Sequence, residues 1–272
     1  MDANEKIENE NEDKEKSDKE KLDKEKLDLE KAAIIEKTYT CPVCDKKFHT
    51  KAVKASSAKF VATMADLRPI HSNINVTKYD AICCPNCGFS ALTKNFTSST
   101  ASQRKLIREK IQTNYKSHDE VACEIYTTET AISRMKMALL CTVTKGGKDS
   151  EIGNVCLKIS WLYQDLADEM PDDAPDAAAK KELYLKEADN AAMNAYERLT
   201  NARMRESFPI AGMNETTLDY LLAYYASKKG EYQTAMRLLS GVVTSKSISP
   251  RLKDKALELK EQVSQLRDQE AP

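Results

Sequence analysis

The sequence predicts a mainly α protein in which a small β-rich domain precedes a helical one. Three observations carry that expectation. Residues 37–96 intersperse Thr, Tyr, Val, Phe and Ile with turn signals such as Cys-Pro and Cys-Gly, the pattern of short strands and loops. From about residue 100, Ala, Leu, Met, Tyr and Ile recur every three or four positions, as on buried helix faces. Breaks at Gly146-Gly147, Pro209 to Gly212, Gly230 and Pro250 divide that stretch into successive helices.

Composition bounds the rest. A chain of 272 residues builds one large domain or two modest ones. Its net charge of −1 gives no global field toward nucleic acid or membrane. No run approaches the roughly 18 apolar residues of a membrane span. The N-terminus lacks the apolar core, roughly 7–15 residues long, of a secretory signal, so a cytoplasmic location is expected. In that compartment eight cysteines point to thiolate ligands or buried thiols rather than disulfides.

Residues 1–36 are expected to form a charged, unfolded tail. The near-repeat Lys19-Glu20-Lys21-Leu22-Asp23-Lys24-Glu25-Lys26-Leu27-Asp28 alternates in sign and offers too little apolar surface to fold alone. Opposite charges three or four apart allow a solvated helix there, and a partner-binding arm is the alternative to a solubilising tail.

Within residues 37–96 stand two Cys-Pro-x-Cys turns, Cys41-Pro42-Val43-Cys44 and Cys84-Pro85-Asn86-Cys87. Two cysteines separated by two residues place both sulfurs on one ion, and two such knuckles complete the tetrahedral shell that zinc favours. Pro42 and Pro85 fix φ for the turn. The following residue is expected to be left-handed, which Gly88 adopts freely and Asp45 tolerates. Phe48 and Phe89 are placed to shield the site. One zinc ion on Cys41, Cys44, Cys84 and Cys87 leaves no open position for water, so its expected role is structural. The gap from Cys44 to Cys84 exceeds the usual ribbon spacing of about 15–20 residues, which implies an insertion between strands.

Cys83 falls outside the shell, because in a strand it points away from Cys84. His49 and His71 are weaker ligand candidates than the four cysteines. Cys123, Cys141 and Cys156 sit on apolar stripes and read as core residues. The ribbon is basic, with Lys46, Lys47, Lys51, Lys54, Lys59, Arg68, Lys78 and Lys94 against Asp45, Asp66 and Asp80. Lysines on phosphates would suit nucleic acid. A four-thiolate zinc, carrying about two negative charges, accounts for part of the same excess.

In the helical domain, residues 97–268, the clearest pattern is Leu222-Ala223, Gly230, Tyr232, Ala235 and Leu239. Small Ala223 and Ala235 let two antiparallel helices approach, with Gly230 at the turn, the spacing of a tetratricopeptide unit. Pro250 and a Leu252–Leu266 helix follow as a cap. A looser copy runs through Ile159, Ser160 and Tyr163, then Ala188, Ala192 and Ala195, with the acidic segment Asp168 to Asp176 between its helices. Trp161 is expected in the same layer. Helices over about 101–145 precede it, with Ala131, Met135 and Ala138 on one face. An irregular helical bundle is the alternative to a stacked array.

The segments Lys37 to Cys44 with Phe48, Tyr79 to Phe89, and Phe208 to Glu215 resemble the bacterial domain-of-unknown-function family 2225, over about residues 37–245. Cys83 and the stretch His71 to Asn75 depart from its pattern. The resemblance implies a bacterial cytoplasmic protein with a zinc-ribbon-like domain followed by a tetratricopeptide-like helical domain, and it implies no activity. The leading expectation is a non-enzymatic adaptor that binds a protein partner on its helices. It calls for specific partners and an open concave face. A nucleic-acid-associated factor and a thiol-based redox sensor, acting through Cys83 or exchange at the zinc, are the alternatives. No catalytic residue stands out: Gly-rich nucleotide loop, nucleophile elbow and His–Glu metal motif are all missing from the sequence.

Overall fold

The computed structural model describes residues 21–22, 24–117, 123–171 and 175–270. Lys19, Glu20 and Asp23 of the near-repeat, and Asp172 to Ala174 of the acidic connection, lie outside the described residues.

The order of elements follows the expected division. A helix, α1 (24–33), runs directly into β1 (Ile34–Thr40), which pairs antiparallel with β2 (Lys47–Val53). A second hairpin follows, β3 (Phe60–Thr63) with β4 (Pro69–His71), and then a third, β5 (Ala81–Cys83) with β6 (Ser90–Leu92). The three hairpins are separate two-stranded sheets with no shared ladder. The helices are α2 (Ala101–Lys110), α3 (Thr128–Thr144), α4 (Asp149–Glu169), α5 (Ala177–Arg205), α6 (Glu215–Lys228), α7 (Tyr232–Thr244) and α8 (Pro250–Glu270). The protein is therefore mainly α, with short antiparallel strand pairs confined to its N-terminal part.

Local signals set the helix ends. Thr100 and Gln103 form a reciprocal capping box at the start of α2. Thr127 caps α3 and Asn214 caps α6. Gly230, at φ 79°, takes the left-handed position that turns α6 into α7. Facing that turn, Ala223 and Ala235 are fully buried, together with Leu222 and Leu239. The α3 face Ala131, Met135 and Ala138 is buried as expected, and Trp161 lies in the core shared by α4 through α8. Helices α4 and α5 are 21 and 29 residues long, against 14 and 13 for α6 and α7, so the two pairs are not equal repeats.

Two features differ from the expected layout. Residues 24–36, expected within the unfolded tail, form α1 and the start of β1. In α1 the positions Leu27, Glu30, Lys31 and Ala33 turn inward at helical spacing. Glu30 there receives Lys78 Nζ at 2.7 Å and the Tyr79 hydroxyl at 2.6 Å. Opposite charges in this segment are thus satisfied by residues far along the chain, which sequence-local reasoning does not see. The boundary at residues 96–97 is also crossed by packing. Ile107 and Ile111, at the end of α2, and Cys141 of α3 share one buried cluster with both cysteine knuckles.

The insertion between the knuckles is the β3–β4 hairpin. Its loop reaches the helical part at three alternate helices. Lys255 Nζ of α8 donates to the Thr63 carbonyl at 2.9 Å, and the Tyr220 hydroxyl of α6 donates to the Ala65 carbonyl at 2.9 Å. The Arg68 guanidinium pairs with Asp165 and Asp168 of α4. Asn75 steadies Asp165 from the other side at 2.7 Å. Leu67, at φ 64°, is held left-handed, a conformation costing a bulky residue about 1–2 kcal/mol. Part of the face formed by α4, α6 and α8 is thus covered by the chain's own loop.

Because Lys78 is almost fully enclosed, losing its carboxylate leaves a buried charge unpaired. Glu30→Ala is expected to lower stability by about 3 kcal/mol in urea unfolding. Glu25→Ala, on the exposed side of the same helix, should change it by less than about 0.5 kcal/mol.

Candidate metal centre

Each knuckle is the turn of a hairpin. Cys41 and Cys44 lie between β1 and β2, and Cys84 and Cys87 between β5 and β6. The two turns are built alike. The Cys41 amide donates to Lys46 O at 3.0 Å and the Asp45 amide to Cys41 O at 2.9 Å. In the second, the Cys84 amide donates to Phe89 O at 2.9 Å and the Gly88 amide to Cys84 O at 3.0 Å. Asp45 and Gly88 are left-handed in equivalent positions, at φ 59° and 75°. The Val43 amide points at Cys41 Sγ from 3.4 Å. Both turns are where the sequence puts them because a Pro, a spacing and a left-handed residue are all local requirements.

The structure brings the four sulfurs together across the two hairpins. Cys41 Sγ lies 3.6 Å from Cys87 Sγ, and Cys44 Sγ lies 3.7 Å from Cys84 Sγ. All four fall within 4.8 Å of one another. Sulfurs held about 2.3 Å from a tetrahedral ion stand about 3.8 Å apart, so this constellation fits one metal ion without rearrangement. Cys41, Cys84 and Cys87 are fully buried. As free thiolates, four sulfurs this close repel one another, and a cation among them would stabilise all four together.

Around the sulfurs lies an aromatic shell. Phe96 packs against Phe89 at 5.2 Å, Tyr39 at 5.7 Å and Phe48 at 6.0 Å between ring centres. The sequence places Phe48 and Phe89 there; Tyr39 and Phe96 complete the group. Arg108 of α2 donates to the Val43 carbonyl at 2.7 Å, clamping the first knuckle onto the helices. Cys141 of α3 sits behind the second knuckle. It accepts from the Ser90 amide at 3.3 Å and donates to the Gly88 carbonyl at 3.5 Å. Burial pushes the Cys141 thiol up to about 12, so it remains a protonated donor. Its place on an apolar stripe signals burial, but nothing in the sequence indicates which turn it faces.

The remaining candidates fall elsewhere. Cys83 is half-buried in β5 and donates to the Arg134 carbonyl at 3.6 Å. His49 bonds Thr38 at 3.1 Å on the outer face of the first hairpin, and His71 packs edge-on against Phe60. Cys123, expected on a buried helical stripe, is instead half-buried outside any helix beside Tyr79 and Tyr126, and Cys156 lies in the core of α4 through α8. Among the ribbon's cations, Arg68 and Lys78 are buried in ion pairs and Lys54 donates to the Ala32 carbonyl, so the basic surface is smaller than its composition suggests.

A family described as an uncharacterized protein conserved in bacteria (DUF2225) matches residues 34–263. The chain belongs to this family. The matched range takes in both knuckles and the helices through most of α8, in keeping with their shared core. No curated protein and no solved structure matches the chain. No helix among the described residues is long and apolar enough to cross a membrane.

The two left-handed positions have different tolerances. A Cβ at Gly88 would meet the Tyr115 ring at 2.5 Å, so Gly88→Ala combines strain with a clash. It should lower stability by more than about 2 kcal/mol. Asp45→Gly should change it by less than about 1 kcal/mol, because relief of strain offsets the added freedom of the unfolded chain. Paired urea titrations of the two variants test this ordering.

Proposed function

We propose that this protein is a non-enzymatic interaction protein of the bacterial cytoplasm, held together by one structural zinc ion and presenting its helices to a protein partner. The observation that carries the zinc assignment is the closure of the site. Four sulfurs suffice for all four tetrahedral positions, three of the cysteines are fully buried with Cys44 half-buried, and Phe48, Phe89 and Phe96 pack in the same cluster. Zinc with four thiolates matches this soft, rigid donor set. A site of this kind stabilises a fold and offers no position to a substrate.

The helical surface rests on repeat geometry. Helices α6 and α7 have the length, the buried small residues and the left-handed glycine of a tetratricopeptide unit, and α4 with α5 forms a longer pair before it. An array of that kind uses the face of its first helices, here α4, α6 and α8, to receive a partner. The chain's own loop over part of this face counts against a fully open groove. Beside the loop an open cavity of about 430 Å³ lies between α4, α5 and α6, lined by Arg68, Gln164, Asp168, Met193, Tyr224 and Lys228. A protein partner suits the arrangement better than nucleic acid, because two of the ribbon's cations are spent in buried ion pairs.

Metal analysis of freshly reduced protein is the test. One zinc per chain is expected, lost with Ser at Cys41, Cys44, Cys84 or Cys87 and kept with Cys83→Ser. Chelation should unfold both hairpins cooperatively. Protein without zinc, or zinc that depends on Cys83, would refute the assignment and make the thiols themselves the functional groups.

A further inference from the structure

The loop between β3 and β4 makes contacts of an unusual kind for a structural insertion. Beside the packing of Leu67 on the helical core, two of its three polar ties to the helices are made to its backbone: Lys255 to the Thr63 carbonyl and Tyr220 to the Ala65 carbonyl. Such contacts hold a backbone turn, closed here by Met64 N to Arg68 O at 2.8 Å and Leu67 N to Met64 O at 3.1 Å, with little regard to its side chains. The third is a charge-specific pocket in which Asp165 and Asp168 receive a guanidinium. Backbone contacts for affinity and one side-chain pocket for specificity are the arrangement with which proteins bind peptides.

The loop fills this position imperfectly. Asp66 Oδ2 and Arg68 Nε are buried without a hydrogen-bond partner, and Leu67 is left-handed. The hairpin's outer side leaves Phe60, Val61 and Met64 about half exposed, at 53, 56 and 45 %. An isolated two-stranded hairpin is marginal in water, so its position depends on these helix contacts. Beside Arg68 an open cavity between α4, α5 and α6 reaches Met193, Tyr224 and Lys228.

We propose that the face of α4, α6 and α8 is a peptide-binding groove occupied in cis by the Thr63–Arg68 turn, and that its partner is a peptide turn whose arginine replaces Arg68 on Asp165 and Asp168. This rests on the protein-binding function proposed above and specifies its ligand. A partner turn with glycine in place of Leu67 and no acid in place of Asp66 exchanges for the loop without those costs. The cavity beyond Arg68 receives the continuation of the peptide.

The test uses the full chain and a fluorescein-labelled peptide of its own residues 60–71 as the probe. Arg68→Ala should release the loop. Amide exchange in residues 59–72 should then rise at least tenfold while α6, α7 and α8 keep their protection. The peptide should bind this variant at least tenfold more tightly than the wild type, and a peptide carrying Arg68→Ala should not bind. The double variant Tyr220→Phe with Lys255→Ala removes the two backbone contacts, keeps the buried ring, and should free the loop in the same way. Unchanged loop protection in both variants, or loss of protection throughout α6, α7 and α8 in both, would make the loop a fixed part of the core and overturn the proposal. A freed loop with no peptide binding, or a concentration-dependent dimer in its place, would overturn it too, the latter in favour of a hairpin exchanged between two copies. Zinc content measured on the same samples separates the two levels. Retained zinc with no peptide binding refutes the groove alone, whereas wild type without zinc refutes the function on which it rests.

Discussion

The junction of four sulfurs is the contact on which the N-terminal half depends. The hairpins β1–β2 and β5–β6 share no ladder of backbone hydrogen bonds, and each is too short to persist alone in water. Cys44 and Cys84 stand 40 residues apart, yet their sulfurs meet at 3.7 Å. What a third strand supplies in a continuous sheet is supplied here by thiolates converging on one point, with Phe48, Phe89 and Phe96 closing over them. The same cluster takes in Ile107, Ile111 and Cys141, so the junction also fixes where α2 and α3 lie.

Charge fixes the remaining joints. Glu30 with Lys78 ties α1 to the body, and Arg68 with Asp165 ties the insertion to α4. Buried ion pairs of this kind contribute little net stability, since desolvation offsets most of their attraction. Their effect is selective. An apolar loop would slide over a helical surface, whereas a guanidinium between two carboxylates has one place to go.

These joints also mark the limit of what the sequence discloses. The knuckles are legible because Cys-Pro-x-Cys followed by Asp45 or Gly88 specifies a turn within a single short segment. The α6–α7 pair is legible because Ala223, Gly230 and Ala235 stand at a helical spacing. The docking of the insertion is not, because its ties join Arg68 to Asp165 and Thr63 to Lys255 across 97 and 192 residues and leave no periodic trace. Arg68 and Lys78 look like surface cations in a basic ribbon for the same reason. The end of the charged tail is misplaced because Glu30 differs from its neighbours only by its partners, Lys78 and, 49 residues along the chain, Tyr79.

The distance from Thr63 to Lys255 has a bearing on how the molecule is made. At about 5–20 residues per second, the 192 residues between them take roughly 10–40 s to emerge from a ribosome. Both knuckles are complete long before that, so their four sulfurs can meet while α8 does not yet exist. During that interval the loop has only part of its landing site, and Phe60, Val61 and Met64 ride on an untethered hairpin beside a growing helical domain. The order of synthesis therefore leaves the insertion as the last piece to settle, after the sulfurs have already committed the strands on either side of it.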